Sequence, residues 1–197
     1  MKKIISLLIL CCLSIPVNAA DSESVNKYVN KLVQDGLDIL RDNSLTQEQK
    51  VKETKEMILD NLDVNWMAKF TLGSYRRILT PEQINQFTKI YGGYVSKAYA
   101  DLVKSYNGQE AKVVQVNPRT DSEFMVDMTI IDKNSQGNIK VSYLIRQIKD
   151  QHNNEVLKVS DVITEGVSLI RSQQSEFTNI ISGKGFDTLL TELAKKS

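Results

Sequence analysis

The sequence predicts an α+β fold in which a layer of helices packs on a curved, four-stranded antiparallel sheet. Up to Tyr106, apolar residues recur at three- and four-residue steps, which is the period of an amphipathic helix. From Lys112 to Thr164 they alternate, which indicates strands with one buried face. The helical period then returns up to Lys195. Helices, then strands joined by short turns, then helices are typical of an antiparallel meander covered on one face.

Residues 1–19 are predicted to be a signal peptide rather than part of this fold. Lys2 and Lys3 form a positive start, an apolar run to Ile15 follows, and small residues precede a cleavage site after Ala19. The apolar run is shorter than the roughly 20 residues that span a bilayer. We therefore expect residues 20–197 to form a single exported domain.

The composition of the mature chain argues against several classes of protein. Both cysteines, Cys11 and Cys12, lie in the leader, so the mature chain has no thiol for a disulfide, a nucleophile or a thiolate metal site. Without Lys2 and Lys3, the chain has 23 Lys and Arg and 24 Asp and Glu, so positive and negative charges nearly balance. This balance argues against nucleic acid as a partner. We expect the mature protein to be a monomer.

Four helices are predicted ahead of the sheet. The first covers residues 25–40, whose apolar positions form one face. The second covers residues 46–62 and begins at a capping box that Thr46 opens. Asp63 caps a short third helix, which Gly73 ends. The fourth runs from Pro81 to about Tyr106, after the strongest start signal in the chain.

The second half of the chain is predicted to contain the sheet and two closing helices. The strands are residues 112–116, 124–131, 139–149 and 155–164, and the helices are residues 167–182 and 186–195. The segment 132–138 opens like a calcium-binding loop, but Tyr143 occupies the position of the closing glutamate. We therefore predict a hairpin turn for this segment.

The mature sequence offers little catalytic chemistry. Its single histidine, His152, lies in a polar turn, where a surface position is expected. An enzyme with this fold would need a buried acid or base such as Asp127 or Asp161, and Asp127 belongs to the outward face of its strand. We predict that the protein is not an enzyme and has no catalytic residues and no metal site.

Several segments resemble the MlaC family of periplasmic phospholipid-binding proteins, the toluene-tolerance auxiliary components. The first is Asn-Trp-Met-Ala-Lys-Phe-Thr-Leu-Gly at residues 65–73, followed by two arginines at 76–77 and Leu-Thr-Pro-Glu-Gln at 79–83. The second is Asp-Val-Ile-Thr-Glu-Gly-Val-Ser-Leu-Ile at residues 161–170. The closing part of the chain from Phe177 is similar to the tail of the family. Together these segments extend the resemblance over nearly the whole mature chain.

The resemblance implies a carrier that takes diacyl phospholipid from an outer-membrane lipoprotein–porin complex. It would exchange this lipid with an inner-membrane ABC transporter through the transporter's periplasmic lipid-binding subunit, and so maintain outer-membrane lipid asymmetry. The implied fold holds the acyl chains in a cavity between helices and sheet, as cargo rather than as a cofactor. An envelope chaperone or adaptor that binds apolar protein segments stays open as the alternative, because it needs a similar cavity.

The side chains expected to line this cavity come from the apolar faces of the predicted helices and strands, positions that would equally suit an ordinary core. They are Phe70, Leu72, Phe87, Tyr91, Tyr94, Val95, Phe124, Val126, Met128, Val141, Tyr143, Ile145 and Val162. Arg76 and Arg77 are candidates to meet a phosphate at the entrance, or simply a solvated turn.

The pair Gly92-Gly93 lies in the middle of a predicted helix, where it costs about 2 kcal/mol relative to alanine. Either it allows a close approach or a bend that opens the cavity, or it serves tight helix packing. On the first interpretation, alanine at both positions raises stability but impairs lipid exchange.

Overall fold

A computed structural model of the chain describes residues 20–132 and 137–197. The predicted signal peptide at residues 1–19 and the centre of the predicted turn, residues 133–136, lie outside the described residues. Within the described ranges, no helix is both long enough and apolar enough to cross a membrane.

The helices and strands follow the order that the sequence predicts. The helices are α1 (Ser22–Arg41), α2 (Gln47–Asn61), α3 (Val64–Thr71), α4 (Pro81–Asp101), α5 (Leu169–Lys184) and α6 (Phe186–Ala194), with 3-10 turns at Gly73–Arg77 and Leu102–Ser105. The strands are β1 (Glu110–Thr120), β2 (Glu123–Ile131), β3 (Asn138–Lys149), β4 (Glu155–Thr164) and β5 (Val167–Ser168).

Side-chain caps fix where the helices begin. At α2 the Thr46 hydroxyl accepts from the Gln49 amide at 3.2 Å, and the Gln49 side chain accepts from the Thr46 amide at 2.8 Å. Thr80 and Gln83 form the same reciprocal pair ahead of α4. Because these bonds satisfy amides that the first turn leaves unpaired, they stabilise the helix starts. Both predicted capping boxes are confirmed.

The sheet is an antiparallel meander in the order β1-β2-β3-β4-β5. It has five strands rather than the four predicted, because Val167–Ser168 turns back along the end of β4. Glu165 and Gly166 make this turn possible with φ values of 49° and 82°. The predicted start of the closing helix at Val167 is therefore wrong, and α5 begins at Leu169 with Ser168 as its cap.

The α+β architecture is confirmed, with the core between the helices and the inner face of the sheet. Strand β2 buries Phe124, Val126 and Met128, alternate residues that point to this face. On the helical side, Phe87 of α4 and Phe177 of α5 pack edge to face with ring centroids 6.0 Å apart. The core thus joins the predicted strand face to the predicted α4 face.

An ion-pair cluster attaches the start of α3 to the sheet. Arg146 of β3 donates to Asp63 at 3.0 Å and to Glu123 at 3.2 Å, and its guanidinium lies 4.7 Å from the centre of the Trp66 ring. The Asp63 amide also donates to the Val159 carbonyl at 2.8 Å. Asp63 is therefore held by its backbone and by its side chain.

The two mid-helix glycines of α4 lie where other segments approach closely. A methyl group at Gly92 would lie 3.3 Å from Val64 Cγ1, and one at Gly93 would lie 3.1 Å from Ser197 Cβ. We expect Gly93→Ala to raise the free energy of unfolding by about 0.5–1 kcal/mol, because the exposed Ser197 can move aside and helix propensity improves. Gly92→Ala should gain less, since Val64 is packed against the core.

Urea denaturation of both variants checks this difference, and a loss of stability in Gly93→Ala would contradict it. The contacts at Gly92 and Gly93 support the packing interpretation of the pair. An effect of the double alanine variant on lipid exchange stays a prediction.

Candidate functional site

Two adjoining hollows, which together we call the main cavity, lie between helices α1 and α2 and the inner face of the sheet. Their volumes are about 210 Å³ and about 380 Å³. The residues that line both are Gly36, Leu37, Leu40, Met57, Tyr99, Ala111 and Tyr143. The two hollows share these seven lining residues and together fall within the roughly 300–1,000 Å³ typical of ligand pockets.

The N-terminal half of helix α1 packs in the core, and its C-terminal half lines the main cavity. Val25 and Val29 are fully buried, whereas the second half of the helix stays half-buried and lines the cavity. The lining positions of this half are Leu32, Val33, Gly36, Leu37 and Leu40. The single apolar face that the sequence predicts thus has two roles, set by how closely the sheet approaches it.

One end of the main cavity opens to solvent and is polar. The polar side chains there belong to the segment that links α4 to β1, and they are Ser105, Tyr106, Gln109 and Glu110. Arg41 Nε donates to the Tyr106 hydroxyl at 3.1 Å, and this hydrogen bond raises the pKa of Arg41. Lys50 Nζ donates to the Leu40 carbonyl at 2.7 Å. The mouth therefore combines two cations, the carboxylate of Glu110 and neutral polar groups, while the walls are apolar.

A further hollow of about 320 Å³, which we call the side cavity, lies between α4, α5 and the end of β4. Tyr99 and Val162 line both this hollow and the main cavity. These two side chains therefore stand between the cavities.

Tyrosines near the cavities are kept neutral by their surroundings. Burial raises the pKa of Tyr28, Tyr91, Tyr99 and Tyr143, because the charged phenolate is poorly solvated there. Each of these side chains is consequently a neutral phenol that can donate a hydrogen bond at physiological pH.

The predicted lining residues divide into three groups in the structure. Tyr143 lines the main cavity, Val162 lines both cavities, and Tyr94 and Val95 line the side cavity. Phe70 and Phe124 border separate depressions at the surface. The others pack in the core and line none of these hollows; they are Leu72, Phe87, Tyr91, Val126, Met128, Val141 and Ile145. A part for any of the thirteen in ligand binding stays a prediction.

The cavity residues that sequence reasoning missed lie mainly on α1 and α2. Periodicity places Leu37, Leu40 and Met57 on apolar faces, but it does not separate a face packed on a core from one that borders a hollow. One usable signal was Gly36, a helix-weakening residue within the apolar face of α1. Both Gly36 and Met57 line the main cavity, and a methyl group at Gly36 would make ordinary contact with Met57.

The acids considered for an enzymatic role have structural partners instead. Asp161 accepts hydrogen bonds from the Ser168 hydroxyl at 2.6 Å and from the Ile170 amide at 3.2 Å, at the start of α5. Asp127 accepts from Ser142 at 2.6 Å and from Asn117 at 2.9 Å. Both carboxylates therefore stabilise the fold.

Other candidate groups lie apart from the main cavity. His152 is exposed in the turn between β3 and β4, as predicted. Arg76 and Arg77 border a depression formed with Phe70 and Gln174, rather than the mouth of the main cavity. Across residues 20–132 and 137–197, no group of three or more His, Cys, Asp or Glu side chains is placed to hold a metal ion.

Comparison with known families decides what kind of protein has this arrangement. The family model described as "MlaC protein" matches residues 30–195, which is most of the chain. The chain belongs to the MlaC family. The resemblance seen in the sequence is thereby confirmed, together with the expectation that this MlaC-family chain is not an enzyme.

Individual MlaC-related proteins are similar over nearly the same length. One is the intermembrane phospholipid transport system binding protein MlaC of Haemophilus influenzae, 23% identical over 175 residues, which covers 84% of this chain and 80% of that protein. A second is the solved structure of a phospholipid-binding protein from Ralstonia solanacearum in complex with a phospholipid. It matches with a TM-score of 0.72 at 20% identity and covers 90% of this chain and 97% of the other. The match to the Ralstonia solanacearum structure shows that the two chains share a fold.

Proposed function

We propose that this MlaC-family protein is a periplasmic carrier of diacyl phospholipid. The observation that carries the proposal is the main cavity, with its apolar walls and its polar end near Arg41 and Lys50. The acyl chains would fill the cavity against its apolar walls, and a phosphate-bearing headgroup would stay at the mouth. The Ralstonia solanacearum protein of the same fold was solved with a phospholipid. The lipid is cargo, and the role needs no cofactor.

Within this role, the protein takes phospholipid from an outer-membrane lipoprotein–porin complex. It exchanges that lipid with an inner-membrane ABC transporter through the transporter's periplasmic lipid-binding subunit, and so maintains the lipid asymmetry of the outer membrane. The name of the Haemophilus influenzae relative, an intermembrane phospholipid transport system binding protein, supports this placement. Residues 1–19 would direct export and be removed, leaving residues 20–197 as one phospholipid-binding domain that acts as a monomer.

The energetics of such a cargo require transfer by contact. Burying apolar surface gains roughly 0.8 kcal/mol per CH₂, so two chains of about 16 carbons would gain on the order of 25 kcal/mol. Non-covalent affinity saturates near roughly 18–21 kcal/mol. Release into water is consequently negligible even after the chains are ordered. The carrier must therefore hand over its lipid while docked on a partner.

A transfer experiment tests this requirement. The protein is loaded with isotope-labelled phospholipid, separated from micelles, and combined with the unloaded periplasmic subunit of the transporter, either mixed or across a dialysis membrane. We expect the label to move only in the mixed sample. Comparable movement across the membrane would contradict the docking requirement, and a protein that cannot be loaded would contradict the carrier role.

A further inference from the structure

The side chain of Tyr99 occupies the junction of the cavities. It projects from α4, and it lines both hollows of the main cavity as well as the side cavity. Val162 of β4 lies at the same boundary. A ligand that filled both cavities would have to branch or bend where these two side chains meet.

The hydroxyl of Tyr99 is the unusual group at this junction. Its oxygen is buried and has no hydrogen-bond partner among the described residues. Two other buried tyrosines are paired, since Tyr91 donates to Gln173 at 2.7 Å and Tyr28 donates to Asn61 at 3.1 Å. Most buried polar side chains have a partner, so an unpaired one calls for an explanation. At Tyr99 the unpaired oxygen also belongs to a side chain that borders both the main cavity and the side cavity.

A hydrogen-bond acceptor on the ligand would satisfy this hydroxyl. A tyrosine phenol is protonated at physiological pH, and burial raises the pKa of Tyr99 further, so the group offers one O–H donor. Because the main cavity is lined largely by apolar side chains and a charged group is poorly solvated there, the matching ligand group is an uncharged acceptor. In a diacyl phospholipid, the ester carbonyls are such acceptors, and they lie where the two chains separate from the glycerol.

We propose that Tyr99 is a specificity-determining residue that donates a hydrogen bond to an ester carbonyl of the bound lipid, at the point where its two chains diverge. This inference rests on the proposed carrier function. The ring borders the cavities, and the proposal requires it to turn so that its buried hydroxyl meets the entering lipid. The hydrogen bond then restores the partner that the buried phenol lacks.

A competition between ester and ether lipids tests this assignment. The protein is loaded from an equimolar mixture of diester and diether phospholipids with the same headgroup and chain lengths, and the bound ratio is read by mass spectrometry. The ether analogue keeps the apolar bulk but has no carbonyl acceptor. We expect the wild type to prefer the diester by about two- to tenfold, the range of one hydrogen bond.

The variant Tyr99→Phe should bind both lipids in nearly equal amounts, because the ring keeps its volume and loses only the donor. Tyr28→Phe is the matched control, since it removes a tyrosine hydroxyl that is already paired with Asn61 and that lines none of these cavities, so it should keep the diester preference. Equal binding of both lipids by the wild type, or a preference lost with Tyr28→Phe and kept with Tyr99→Phe, would overturn the assignment. If neither lipid binds, it is the carrier function that fails.

Discussion

Replacing Gly36 with tryptophan is expected to reduce phospholipid loading at least about tenfold, because the new side chain fills the main cavity. Gly36 lies in the part of α1 that lines both hollows of this cavity. A methyl group at Gly36 would make ordinary contact with Met57, 3.5 Å from its Cε and 3.8 Å from its Sδ. The atoms of a larger side chain beyond that point would occupy the space assigned to the acyl chains. Lipid per protein after loading and gel filtration measures the effect.

The variant Gly36→Ala is the matched control for this experiment. Alanine fits beside Met57 and improves helix propensity, so we expect unchanged loading and a gain of about 0.5–1 kcal/mol in the free energy of unfolding. Circular dichroism shows whether the tryptophan variant keeps its helices and strands. A folded Gly36→Trp protein that loads as much lipid as the alanine variant would place the acyl chains elsewhere.

The second large effect concerns stability, and it is expected from Arg146→Ala. The Asp63 side chain is 9% exposed, and Arg146 is the cation that pairs with it, at 3.0 Å. Removal of one partner from a buried ion pair leaves an uncompensated charge and typically costs 3–5 kcal/mol. Because Arg146 itself is 23% exposed, water screens part of this loss. We expect a loss of about 2–3 kcal/mol in the free energy of unfolding, measured by urea denaturation.

Two comparisons separate the ion pair from a general surface effect. Lys27→Ala breaks a fully solvated pair with Glu23 and should cost at most about 0.5 kcal/mol. Asp63→Asn combined with Arg146→Met removes the charge and its partner together and should recover part of the stability. If Arg146→Ala costs no more than Lys27→Ala, the cluster does not hold α3 on the sheet.

The order of helices and strands could be predicted from the sequence because its signals are local. A capping box such as that of Thr46 and Gln49, or the alternation of Phe124, Val126 and Met128, is complete within a few residues. The predictions failed where tertiary contacts determine the secondary structure. Strand β5 exists only because Val167 and Ser168 reach β4, and the sequence there continues directly into a helix.

The candidate site was less predictable than the fold. Periodicity identifies a face that avoids water, but a core and a cavity wall need the same residue types. Thus Phe87 proves to be fully buried against other rings, whereas Leu40, from an equally apolar face, borders an open hollow. Phe87 and Leu40 differ in how closely the rest of the fold packs around them, which local sequence patterns do not record. The Asp63–Arg146 pair, 83 residues apart in the chain, is hidden from local patterns for the same reason.

Mass spectrometry of a solvent extract, from protein purified out of the periplasm without detergent, tests the carrier function directly. We expect diacyl phospholipid in near-stoichiometric amount with the protein. A folded, monodisperse sample that yields no lipid would contradict the carrier function, and it would favour an envelope chaperone or adaptor that holds apolar protein segments in the same cavity.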